Sequence, residues 1–140
     1  MLDYRLWQER LKDELGGLVK TVGFSADIKA VFDNAINLVP AIYLIPSTEL
    51  SQDRDSTAST GSYTTGSIDV LVVARDYSDA LGSKALDTNY DVTKAVFKAL
   101  NGWTPPDADS PVHKRTGKRV MFKDSNLYYA VNYDCKYFES

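Results

Sequence analysis

The sequence predicts an α+β fold: a mixed or antiparallel sheet of about four to five strands, with two to three helices packed mainly on one face. Three observations lead there. Apolar residues recur at three- and four-residue spacing near the start of the chain and again before Gly102. Shorter β-rich runs lie between and after these stretches, some of them alternating apolar with polar. The elements run helix, helix, strand, strand, helix, strand, strand, an order that suits helices gathered against a sheet. With 140 residues, 44% hydrophobic and 25% charged, one domain over 1–140 can bury a core without a disulfide.

Residues 3–15 form the first expected helix, with Leu6, Trp7, Leu11 and Leu15 on one stripe, Asp3 as N-cap and Gly16-Gly17 as the stop. Lys20 to Phe24 is a short strand or an extended connection. Ser25 then caps a second helix near Asp27 to Ile36, carrying Ile28, Val31, Phe32 and Ile36. Ala41 to Ile45 is an apolar, β-rich run between Pro40 and Pro46, positions where a missing ladder donor matters least.

The segment 47–66 is rich in Ser, Thr, Asp, Gln and Gly, with Leu50 and Tyr63 as its large hydrophobes. It is expected to be a flexible polar loop, or a long hairpin with a disordered tip. Ser67 to Arg75 is the clearest strand. Ile68, Val70, Val72 and Ala74 take one face, and the other is polar at its ends and apolar in its middle, as in a central strand covered on both sides. Asp76 to Lys84 is a polar connection.

The third helix is expected from about Asp87 to Asn101, with Asp87 or Thr88 as cap, Gly102 just past its end and Pro105-Pro106 barring continuation. Pro106 to Pro111 is a loop. Arg119 to Lys123 and Asn126 to Phe138 form the last β segment around a turn at Lys123 to Asn126. In the final strand Leu127, Tyr129, Val131, Tyr133, Cys135 and Tyr137 share one face, which places three tyrosines in the core and leaves Tyr128 and Phe138 opposite as interface candidates.

The residues carry little chemistry. His113 is the sole histidine and Cys135 the sole cysteine, too few and too far apart to build a nucleophile–base pair. Cys135, on an apolar strand face, is expected to behave as a small hydrophobe, and a lone cysteine suits a reducing compartment. No C-x-x-C, H-x-x-x-H, calcium-loop, Walker or dinucleotide pattern is present, so neither metal nor cofactor is expected. A hydrolase or transferase built on two of the 19 acids would leave no trace in the sequence. No run of residues is long and apolar enough for a membrane span, and no signal-peptide core opens the chain.

Charge is polarised along the chain. Residues 1–110 carry 10 Lys and Arg against 16 Asp and Glu, and residues 111–140 carry 6 against 3. The segment from His113 to Lys123 is the sharpest feature, and it suits an acidic protein partner, a phosphate backbone or the protection of a strand edge. With only Phe122 interleaved to stack on bases, direct nucleic-acid binding is the weaker alternative.

The ordered pattern resembles the phage tail-terminator (tail-completion) family, including the minor tail protein U-like group. The resemblance rests on the N-terminal amphipathic helix, the proline-bounded strand Pro40 to Pro46, the strand Ile68 to Arg75, and the helix ending Ala99-Leu100-Asn101-Gly102-Trp103-Thr104-Pro105-Pro106. The charged segment His113 to Arg119 has no counterpart in that pattern. Such a resemblance implies a non-enzymatic virion assembly protein. It would be a ring homo-oligomer, commonly a hexamer, made in the host cytoplasm and resident in the tail or neck. Its implied partners are the tail tube protein and the head-tail connector protein, and a connector or other neck subunit is the nearest alternative. Asp53, Arg54, Asp55, Tyr63, Lys114, Arg115, Lys118, Arg119, Tyr128 and Phe138 are the candidate subunit and partner contacts.

Overall fold

Helix α1 spans Tyr4–Leu15 and buries Tyr4, Trp7, Leu11 and Leu15, while Asp3 caps it by accepting from the Arg5 backbone amide at 3.1 Å. The computed structural model describes residues 1–33, 39–53, 62–75, 83–123 and 125–139. Strand β1 is Thr21–Phe24, helix α2 is Ile28–Asp33, β2 is Ala41–Asp53 and β3 is Ser62–Arg75. Helix α3 is Ser83–Leu100, β4 is His113–Lys123 and β5 is Asn126–Glu139. The sheet is five-stranded in the order β1-β2-β3-β5-β4. Among the described residues only β1 and β2 are parallel, so the sheet is mixed, as expected. A parallel pair requires a crossover, and α2 lies in the segment that joins the two strands.

The two sheet faces are covered unequally. On one, Trp7, Leu11 and Leu15 of α1 and Val92, Val96, Ala99 and Leu100 of α3 pack on Ile42, Leu44, Ile68, Val70, Val72, Val131 and Tyr133. On the other, Val31 of α2 meets Ala41, Ile45, Leu71, Val73, Tyr128 and Ala130. The middle of β3 is thus buried on both sides, which explains its nearly unbroken apolar run. Tyr128 is the correction here. Expected as an exposed contact, it is only 4% exposed, because α2 covers that half of the second face.

Of the two readings of the polar segment 47–66, the described residues take the hairpin, with β2 and β3 paired from Thr48↔Ser67 to Asp53↔Ser62. The segment's Ser and Thr residues sit where the sheet runs out beyond the helices, so no sharp apolar alternation marks the strands. Residues 54–61, Arg54 and Asp55 among them, lie outside the described residues. Three boundaries differ from expectation, each for a physical reason. Helix α3 begins one turn early, at Ser83, because Ala85 packs between Ala74 and Leu127. Strand β4 begins at His113 and not at Arg119, and bulges at Lys114/Thr116 and Arg119/Met121 break its period-two pattern. Helix α2 is capped by Asp27, whose carboxylate accepts from the Ala30 amide at 2.7 Å, while Ser25 donates to the Asp27 carbonyl.

The Gly-Trp-Thr-Pro segment closes α3 and returns the chain to the sheet. Gly102 has φ +86°, a left-handed position that favours glycine, and its amide donates to the Val112 carbonyl at 2.8 Å. Trp103 then sits edge-on to Trp7 at 6.0 Å, with the Arg10 guanidinium over its ring at 5.4 Å. Beyond the start of β4 the β5 edge would be bare. The loop covers it: Ser110 accepts from the Lys136 amide and Asp109 from the Phe138 amide, while the Asp109 amide donates to the Lys136 carbonyl.

Candidate functional site

The sheet order makes β4 an edge strand, and the expected basic segment lies along it. His113, Lys114, Arg115 and Lys118 are exposed there, and Arg119 occupies the position opposite Tyr129. The bulge after Lys114 sends neighbouring cations to different partners. Lys114 lies on the helix side, its ammonium 5.9 Å from the centre of the Phe97 ring, whereas Arg115 pairs with Asp134 at 3.3 Å. A row of fixed positive charge on an open edge discourages pairing with another copy of the same edge.

Beside that edge, α3 exposes a second apolar stripe. Leu86, Tyr90 and Phe97 are four and seven residues apart, so they share a helix side distinct from the buried Val92–Val96 stripe. With Tyr129, Lys94 and Lys114 they line an open groove of about 400 Å³. This groove escaped the sequence analysis, although three large apolar residues off the core stripe of an amphipathic helix were a legible signal.

A second apolar patch lies on the other sheet face, at the far end of β2, β3 and β5. Tyr63 and Phe138 are cross-strand partners in an edge-to-face pair at 5.3 Å, and Leu50, 66% exposed, stands one row inward. Tyr63 and Phe138, two expected candidates, are therefore brought together. Asp53 occupies the last row of the same end, in register with Ser62. The structure thus separates the expected residues into two surfaces.

Cys135 is fully buried in the main core, and its thiol donates to the Ser110 carbonyl at 3.1 Å. Burial pushes the thiol up to about 11, so it stays protonated in the folded chain. An unfolded thiol ionises near pH 8.5–9. The contribution of Cys135 is therefore complete below about pH 9 and is lost as pH rises to about 11, a drop on the order of 2 kcal/mol. Urea titrations at pH 8 and 11 check this, and Cys135→Ala should shrink the loss over that interval by about that amount. Burial also raises Tyr4 and Tyr133, extending the alkaline loss further.

Among the described residues, no three His, Cys, Asp or Glu side chains converge on a possible metal site. No described helix is long and apolar enough to cross a membrane. The arrangement offers two unlike surfaces for binding.

Comparison with known proteins bears on the family and the fold. The family model described as phage tail terminator protein matches residues 1–140. One similar solved structure, described as the virion of a native gene transfer agent particle, covers 95% of this chain and 90% of its own. It aligns at 17% identity with a TM-score of 0.60, a likeness of fold. Another aligns over all of both chains at 11% identity and a TM-score of 0.47, too distant to carry an argument. No curated protein sequence matches the chain.

Proposed function

Because the chain belongs to the phage tail terminator protein family, we propose that it forms a ring, of six subunits, that caps the tail tube, stops its polymerisation and presents the surface joining the head. The family places the protein in phage tail assembly as a structural component of the virion. The finer role is supported chiefly by the family match, which runs over residues 1–140.

The physical form suits the task. A ring needs heterologous contacts that close by rotation, and it needs two unlike faces, one for the tube protein and one for the head connector. An acidic body and a basic β4 edge allow each subunit to present opposite charge to its two neighbours.

The test is termination itself. Added to polymerising tail tube protein, the purified chain should shorten the tubes in proportion to its concentration, with rings at tube ends in negative stain. Tubes of unchanged length would overturn the reading. Reversing Lys118 and Arg119 to Glu should shift the mass by light scattering from ring to smaller species. A ring of unchanged mass would remove the charge pairing from the account.

A further inference from the structure

The turn that ends α3 joins two residues with a reactivity of their own. Asn101-Gly102 is the single place in the sequence where glycine follows asparagine, and the other five asparagines precede Ala, Leu or Tyr. A side-chain amide next to an unhindered glycine amide is open to intramolecular attack. The Gly102 nitrogen gives up its proton and bonds to Asn101 Cγ, the Cγ–Nδ2 bond breaks, and ammonia leaves. Water then opens the five-membered imide at either carbonyl, which leaves aspartate or isoaspartate at position 101.

Asn101 is exposed, so burial does not shield it. Hydrogen bonds do. The Gly102 amide donates to the Val112 carbonyl at 2.8 Å, which engages the proton that must leave. Asn101 Oδ1 accepts from the Lys114 amide at 3.0 Å, which holds the side chain toward β4. The Asn101 amide continues the helix by donating to the Phe97 carbonyl at 2.9 Å. Val112, fully buried, donates back to the Trp103 carbonyl at 2.8 Å and locks the junction from the other side. Attack therefore requires the α3–β4 junction to open.

We infer that Asn101 is a deamidation site which the closed α3–β4 junction holds unreacted, so that local opening there is recorded as an irreversible covalent change. The inference stands apart from the ring reading above. The two products differ in consequence. Aspartate keeps an acceptor for the Lys114 amide. Isoaspartate inserts an extra backbone carbon before Gly102, which shifts the left-handed turn out of register with Val112.

The experiment holds the full chain at pH 8, folded and in guanidinium chloride, and follows Asn101 by mass spectrometry of digested peptides. Chromatography separates aspartate from isoaspartate. Asn101 should convert at least about tenfold more slowly in the folded chain, because only its open fraction reacts. Lys114→Pro removes the amide that holds Asn101 Oδ1. It should speed conversion severalfold in the folded chain and leave the unfolded rate unchanged, with far-UV circular dichroism checking the fold. If that variant does not fold, the folded and unfolded wild-type rates decide alone. A folded chain that converts as fast as the unfolded one would overturn the protection. An unfolded chain in which Asn101 converts no faster than the other asparagines would overturn the site, and an unchanged folded rate in Lys114→Pro would overturn the part given to Lys114.

Discussion

Truncating Trp7 to alanine is expected to lower folding stability by about 4 kcal/mol, the largest loss of any single side chain in the main core. Trp7 is fully buried, packs edge-on to Tyr4 at 5.3 Å and to Trp103 at 6.0 Å, and so joins α1 to the loop that follows α3. Alanine removes both ring contacts and leaves a cavity where helix, loop and sheet meet. The indole Nε1 has no hydrogen-bond partner among the described residues. Trp7→Phe therefore forfeits volume but no hydrogen bond, and should cost about 2 kcal/mol or less. Urea unfolding followed by circular dichroism measures both. Equal losses for the two variants would show that packing at Trp7 is not what holds α1 down.

Replacing Asn89 with leucine is expected to cost about 2–3 kcal/mol despite its apolar character. Asn89 is buried on the core side of α3, and its amide donates to the Val72 carbonyl at 3.1 Å and the Leu127 carbonyl at 3.3 Å. Its Oδ1 accepts from the Thr93 hydroxyl at 3.2 Å. One amide thus ties the helix to β3 and β5 together. Leucine would remove the amide's bonds to both strands and the acceptor of the Thr93 hydroxyl, buried hydrogen bonds that apolar contact does not restore. Asn89→Asp sharpens the test, because a carboxylate facing two carbonyl oxygens is repelled and only the protonated acid can donate. That variant's deficit should be larger at pH 7 than at pH 4, and a deficit independent of pH would sink the assigned contacts.

The core was the most legible part of the fold. Alternation along Leu127 to Tyr137 and the run Ile68 to Ala74 reflect strands whose neighbours are apolar on known faces, and those residues lie where the pattern placed them. Legibility failed where tertiary context overrides local pattern. Tyr128 sits on the face opposite the main core, but the sequence does not show that α2 crosses over that half of the face. The bulges of β4 conceal its first turns of pairing, so His113 to Lys118 read as loop. The basic edge itself was visible, because a cluster of like charges needs no fold to be seen. The groove was not, since it exists only once β4 lies beside α3.

Strands β3 and β5 pair over fourteen positions, from Ser62↔Glu139 to Arg75↔Asn126, whereas β1 joins β2 over only four. The difference matters for mechanical load. A pull along the β3–β5 axis strains many ladder bonds at once, so the pair yields only when they fail together. A pull that peels β1 away loads its few bonds one after another. The domain would therefore hold under a load along the long central ladder, and would open first at the short parallel edge.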